Sequence, residues 1–360
     1  MAEIRIIRHR TAITFGVILL LLVGVRAALP LIIKDQINSR LASLQEYNGH
    51  LEDIDLALWR GEYSIVNLVI VKTGVDTDEP FLRVPQASFS IEWQALLDGA
   101  IVGEVELFAP ELHVTVSDDP ARAQFGLGVP WYDLLEELVP FTINRFEVHD
   151  GRFEFTDADL ERPLDVYVHD IDALGTNLSN ATETDADTFA TVCLTGLFGQ
   201  GTPLTINGQL SPQADPPAFE MDFELETLPL IELNGLLNAY IGVDAEAGNF
   251  SVFAEVASAN NRFDGYIKPM LTEAEFFSLK EDDNLLRKIW EGIVAMTAEL
   301  LENQPGDQFA TVIPFSGELD DVTTGRLSAM LSILRNAFVA ALEHKLDDSV
   351  HIENLGGTGQ

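Results

Sequence analysis

From His50 onward the chain alternates. Ala87, Phe89, Ile91 and Trp93 take every second position, with Ser88, Ser90 and Glu92 between them. Phe219, Met221, Phe223 and Leu225 alternate with Glu220, Asp222, Glu224 and Glu226. Phe250, Val252, Ala254 and Val256 form a third run, broken on its polar side by Phe253. Successive side chains of a strand point to opposite faces, so this period marks strands with one apolar and one polar side. About fourteen such runs can be counted, separated by turn residues such as Pro80, Asp98-Gly99, Asp150-Gly151 and Pro216-Pro217. Short turns predict antiparallel pairing. One face is expected to be covered, and the other, lined with carboxylates, to meet water.

The pattern is different before His50. Residues 11–25, TAITFGVILLLLVGV, carry no charge, and Ala27 to Ile33 continue the apolar run past Arg26. About 20 residues are needed to cross a bilayer, and a span beginning at Thr11 reaches that length if Arg26 snorkels to the far interface. Its lipid-facing body would include Ile13, Phe15, Val17, Leu19, Leu21 and Val23. Arg5, Arg8 and Arg10 precede it, which predicts a cytoplasmic N-terminus and a main domain outside. A cleaved signal peptide is the rival, with Val25-Arg26-Ala27 resembling a cleavage site. The apolar character running on into an amphipathic helix, Leu29 to Leu44, favours a retained anchor. A buried core helix is the third reading, and the flanking arginines count against it. Further helices are expected at Trp131 to Leu138, Leu228 to Tyr240, Thr272 to Asn303 and Thr324 to Leu346, with a strand from Phe309 to Leu319 between the last two. The tail, Gly356-Gly357-Thr358-Gly359, is expected to be disordered.

An internal echo runs through the middle of the chain. Val105, Leu107, Pro110, Leu112 and Val114 match Phe146, Val148, Gly151, Phe153 and Phe155 at a constant offset. Each copy reads as strand, tight break, strand, as in a sheet grown by adding similar hairpins.

Charge narrows the partners. The 360 residues hold 21 Lys+Arg against 58 Asp+Glu, a net charge of −37. Such a surface repels nucleic acid, whose binding needs cations to displace counterions. Solubility is the simpler account of the acidity; a face for a cationic partner is the alternative. Cys193 is the single cysteine, so no intramolecular disulfide or cysteine-based zinc site is possible. It reads as a buried strand residue.

Catalytic motifs are missing. The sequence has no nucleophile elbow, no His-Glu-x-x-His and no phosphate-binding loop. Gly196 to Gly201, GLFGQG, is spaced wrongly for a dinucleotide site and reads as a connection between strands. His149-Asp150 and His169-Asp170 are adjacent strand residues, expected on opposite faces and unable to chelate together. Asp157, Asp159 and Glu161 lack the glycine-centred loop of a calcium site and read as a solvated turn. No catalytic residue, metal ligand or cofactor is therefore expected, and the chain is read as a non-enzyme.

A family resemblance covers nearly the whole chain. After the single span come Leu58-Trp59-Arg60-Gly61, the strand Ile65 to Val71, Ile91-Glu92-Trp93, Leu96-Leu97, Gly99, Val102-Gly103-Glu104-Val105 and Pro110-Glu111-Leu112. Pro140 to Phe155, Gly265-Tyr266-Ile267-Lys268-Pro269 and Leu334-Arg335-Asn336-Ala337-Phe338 follow. This order resembles the AsmA-like proteins of Gram-negative envelopes, and within them the uncharacterised domain family numbered 748. The resemblance implies an inner-membrane anchor, a periplasmic sheet curled into a groove with an apolar interior, and a role in lipid movement or outer-membrane upkeep. Larger members of that family continue through many more strands.

These readings combine into an α+β fold, mainly β with helices. An N-terminal transmembrane helix leads into a long curled antiparallel sheet forming an apolar groove, with C-terminal helices packed on it. The expected units are 1–45, anchor and amphipathic helix; 46–270, β-groove; 271–350, a helix–strand–helix segment; and 351–360, tail. Phe89, Ile91, Phe146, Val148, Phe153, Phe155, Phe219, Met221, Phe223, Phe250 and Val252 are expected to share the apolar face and to contact lipid. The partners expected are the inner membrane, phospholipid acyl chains and other envelope proteins. A closed-core interaction module of the envelope is the alternative, since a closed core and an open groove demand the same alternation.

Overall fold

The computed structural model describes residues 24, 28–44, 46–57, 60–74, 79–91, 102–117, 119, 122–124, 142–160, 166–178, 189–211, 218–240, 244–276, 308–310 and 312–318. Among them, alternation has become one fifteen-stranded sheet. A helix, α1, covers residues 28–41. The strands are β1 (Tyr47–His50), β2 (Asp53–Ala57), β3 (Glu62–Lys72), β4 (Leu82–Ile91), β5 (Val102–Phe108), β6 (Glu111–Val116), β7 (Thr142–Asp157) and β8 (Val166–Thr176). They continue as β9 (Ala190–Phe198), β10 (Thr202–Ser211), β11 (Ala218–Pro229), β12 (Ala245–Ala259), β13 (Arg262–Phe276), β14 (Gln308–Ala310) and β15 (Ile313–Glu318). A 3-10 turn, Leu230–Leu233, and the short helix α2, Asn234–Tyr240, link β11 to β12.

The pairing path is β1-β3-β4-β5-β7-β8-β9-β10-β11-β12-β13-β14, with β2 beside β3, β6 beside β4 and β7, and β15 beside β13. Each off-path strand continues its sequence neighbour after a break. From β7 to β13 the order is that of the sequence, the signature of a meander.

One junction departs from the expected antiparallel sheet. β5 and β6 both run parallel to β7, so the sheet is mixed. The internal echo predicted something other than what formed: Val105 lies beside Phe146, Leu107 beside Val148, Leu112 beside Phe153 and Val114 beside Phe155. The two copies are in-register parallel neighbours rather than successive hairpins. A parallel neighbour requires a long crossover, which residues 117–141 supply. Asp150-Gly151 is likewise no turn: it lies inside β7, a continuous 16-residue strand.

Bulges explain how that strand keeps one face apolar. Phe146 and Val148 sit at even positions, Phe153 and Phe155 at odd ones, so a regular strand would turn one pair outward. Asp150 has φ 55°, and the pairing with β8 slips on either side of Gly151. One extra residue resets the alternation. Asn67 (φ 50°), Ala109 (φ 48°), Asp170 (φ 49°) and Thr227 (φ 60°) do the same in β3, between β5 and β6, in β8 and in β11. In β11 the consequence is visible as Leu225 and Leu228 both buried, with Glu226 and Thr227 exposed between them. Gly248 (φ 112°) serves β12; a Cβ there would lie 2.6 Å from the Ala274 Cα, so only glycine fits.

The main core lies at the start of the sheet. Ile37 and Leu41 of α1 are buried with Tyr47, Leu51, Ile54, Ile65, Ile70, Phe81, Val84, Phe89 and Val105. A second core joins Val168, Leu204, Leu225 and Leu228, with Phe153, Phe223, Phe250 and Leu233 packed against it. Helix α1 matches the amphipathic segment expected at Leu29 to Leu44. The helix expected from Leu228 instead begins as strand and becomes helical at Leu230. Thr272–Phe276, expected to open another helix, end β13 instead, because the inward alternation that reaches Leu271 resumes at Ala274 and Phe276 after a bulge at Glu273 (φ 51°). The expected strand at Phe309 to Leu319 forms as β14 and β15.

No helix among the described residues is long and apolar enough to cross a membrane. The expected anchor residues Ile13, Phe15, Val17, Leu19, Leu21 and Val23 lie outside the described residues, as do the helices expected at 131–138 and 324–346.

Candidate functional site: the apolar face of the sheet

Cross-strand partners share a face, so the register assigns the lining residues. One row runs Tyr63, Phe89, Val105, Phe146, Gly175, Val192, Gly208, Met221, Val256, Gly265, from β3 to β13. The next runs Ile65, Ala87, Leu107, Val148, Ala173, Leu194, Ile206, Phe223, Ala254, Ile267. Neither row contains a charged residue. The intervening row on the other face reads Ser64, Ser88, Glu106, Glu147, Leu174, Cys193, Asn207, Asp222, Glu255, Tyr266. The sheet is therefore two-sided from β3 to β13, apolar on one face and mostly polar on the other.

All eleven residues singled out in the sequence lie in these strands, and the register brings Phe89, Phe146, Val148, Met221 and Phe223 onto the same two rows. Phe153 and Phe155 follow on the same side after the β7 bulge. Phe250 lies opposite Leu228 and Leu271, and Val252 opposite Leu225. Exposure divides the set. Phe89, Phe155 and Phe219 are buried. Ile91, Phe146, Val148, Phe153, Met221, Phe223, Phe250 and Val252 retain partial exposure.

Covering varies along the face. At its start, α1 seals the surface, and Tyr63 stacks on Phe89 with ring centroids 4.5 Å apart; burial pushes the Tyr63 phenol above its ordinary pKa. Asn38 fastens this cover. Its Nδ2 donates to the Leu51 carbonyl at 3.2 Å, and the Leu51 N–H donates to its Oδ1 at 2.7 Å. Beyond β7, the described cover is the segment linking β11 to β12: Leu233 packs on the sheet, and Leu230 of the 3-10 turn and Leu237 of α2 are buried.

The carboxylate face has its own geometry. A cleft of about 720 Å³ lies among Thr202, Thr205, Glu224, Glu226, Thr227 and Glu232. A hydrogen bond to Glu226, reinforced by partial desolvation and by the Glu226 charge, raises the pKa of the Glu224 carboxyl. Glu232 accepts the Gln200 N–H at 2.9 Å and so holds the β9–β10 turn. That turn is GLFGQG, which joins two strands as expected. Cys193 was expected to be buried but is exposed, because Val192 and Leu194 take the inward positions on either side of it.

The histidines depart from the alternation argument at one place. His169 Nδ1 lies 3.2 Å from the Asp170 carboxylate, although the two are adjacent, because Asp170 is the bulge residue of β8. His169 Nε2 lies 3.1 Å from the Gly199 carbonyl. His149 contacts Glu147 at 3.5 Å rather than Asp150. Asp159 accepts from Ser117 and pairs with Arg122, and its N–H donates to Asp157, a pinned turn. Among the described residues, no group of three or more His, Cys, Asp or Glu side chains is arranged to hold a metal ion.

The residues that alternation did not reveal are Asn67, Ala109, Asp170, Thr227 and Glu273, the bulges. Their only trace in the sequence is a change of parity within a run of apolar positions. Compared with protein-family models and with curated proteins, the chain matches none.

Proposed function

We propose that this chain is a membrane-anchored envelope protein of the AsmA-like kind, which handles lipids on the apolar face of its sheet and carries out no catalysis. In this reading residues 11–33 hold it in the inner membrane, the sheet lies in the periplasm, and acyl chains lie along the partly exposed rows of β7 to β13. The observation that carries the proposal is the unbroken apolar register from Tyr63 to Gly265 with carboxylates behind it. A surface that is apolar over that length, backed by charge and only partly covered among the described residues, marks an interaction site for apolar partners. The bulges also bend and twist the strands, the local requirement for a sheet that curls around a ligand.

The test pairs bound lipid with folding. Phospholipid is expected to co-purify with the full chain extracted from membranes. Phe223→Glu is expected to reduce bound lipid while the thermal transition is retained, because an open face lets the carboxylate reach water. A parent protein free of lipid, together with a Phe223→Glu variant that unfolds, would defeat the reading. That outcome supports the second reading, a closed-core docking module, which the burial of Phe89, Phe155 and Phe219 favours.

A further inference from the structure

Helix α1 carries two apolar stripes. Leu29, Ile33, Ile37 and Leu41 recur every four residues and pack on the sheet. Leu31 and Ile32 point elsewhere and are 66% and 61% exposed, the two most exposed large hydrophobic side chains among the described residues. One turn further on, the exposed positions are Asp35, Gln36, Ser39 and Arg40. The outward side of α1 therefore changes from apolar to polar between Ile32 and Asp35. Lys34 does not blur that boundary, since its ammonium is turned onto the Glu52 carbonyl.

The sequence ahead of α1 shows what this stripe continues. From Thr11 to Ile32, Arg26 is the single charged residue. At helical pitch that stretch measures about 33 Å, close to the roughly 30 Å of a hydrocarbon core. Ending at Val25, it would measure about 22 Å and fall short.

We propose that Leu31 and Ile32 seat the folded domain in the bilayer, with the hydrocarbon boundary crossing α1 between Ile32 and Asp35. The partner is the lipid surface itself. A helix continued back from Ile32 would place Arg26 about 9 Å along the axis, from where a long basic side chain would extend to the same interface. The anchor then has no slack before the fold. α1 leaves the membrane already fastened to the sheet by Asn38 and Lys34, and the α1-covered start of the apolar face stands nearest the bilayer. This inference rests on the anchored reading above.

The experiment uses the full chain with Cys193→Ser and one new cysteine at a time: Leu31→Cys, Ile32→Cys, Gln36→Cys or Ser39→Cys. Each is labelled with an environment-sensitive fluorophore and reconstituted into phosphatidylethanolamine–phosphatidylglycerol vesicles. Labels at 31 and 32 are expected to emit to the blue, resist aqueous iodide and be quenched by nitroxide on the lipid chains. Labels at 36 and 39 are expected to show the reverse. If the protein floats with the vesicles while all four labels are open to iodide, the seat is overturned and the anchor stands. Labels at 31 and 32 shielded from iodide but untouched by lipid nitroxide would overturn it too, by showing protein over the stripe. Failure to float would overturn both the seat and the anchor.

Discussion

Two asparagines hold the helical pieces to the sheet by the same device. Asn38 of α1 exchanges two hydrogen bonds with the backbone of Leu51. Asn234, opening α2, does so with Ala245, donating at 3.0 Å and accepting at 2.7 Å. A carboxamide has the donor and acceptor of a peptide group, so each side chain takes the place of a missing strand neighbour. Leu51 is buried, and loss of its partner leaves backbone groups unsatisfied. Asn38→Leu is therefore expected to lower stability by about 1–3 kcal/mol, measured by denaturant unfolding. Glu224 yields a prediction with a sign. Its carboxyl titrates above its ordinary value because Glu226 favours the protonated form, so the folded chain binds the proton more tightly than the unfolded one. That contribution is present at low pH and is lost as pH rises from the ordinary carboxylate value through the raised one. Glu224→Gln, compared with the parent by thermal unfolding across that window, is expected to flatten the loss and raise the neutral-pH transition temperature.

At the scale of the element, the bulge is the unit of design. Asp150 in β7 aligns with Ala109 between β5 and β6, both at positive φ, and the Ala109 N–H donates to the His149 carbonyl at 2.8 Å. The parallel neighbours bend together. Deleting Asp150 should turn Phe153 and Phe155 to the charged face and abolish cooperative unfolding. Asp150→Gly, which suits positive φ, should stay within about 1 kcal/mol of the parent. Gly248→Ala is expected to cost about 2–4 kcal/mol, from strain at φ 112° and the contact with Ala274. These elements also mark how far the sequence could be read. The runs at 87–91 and 219–225 were legible because alternation over four or more residues has one physical meaning. The continuity of β7 was not: a bulge at Asp150-Gly151 and a turn use the same residues, and both break the period. The parallel junction was half legible. The echo of Val105–Val114 in Phe146–Phe155 was present, but likeness between two strands does not say which edge they share.

Across the whole molecule, charge and face divide the labour. The first 40 residues hold six basic and two acidic side chains, while the full chain carries −37, so the negative charge belongs to the sheet domain. Such a domain is kept off anionic headgroups by repulsion, and the proposed anchor would fix where it meets the membrane. A phosphatase reporter fused after Gln360 is expected to be active, and a cytosol-dependent reporter there silent; the reverse would refute an external domain. The twelve strands of the pairing path among the described residues, at about 4.8 Å per step, give a contour of roughly 50 Å. The face is proposed to receive or pass lipid beside the membrane that would hold the anchor. The most direct measurement is photocrosslinking of the membrane-embedded chain with a phospholipid carrying a diazirine in its acyl chain, mapped by mass spectrometry. Adducts are predicted at Val148, Met221, Phe223 and Val252, on one face of β7, β11 and β12. Adducts confined to residues 11–33, with none on the sheet, would contradict the account.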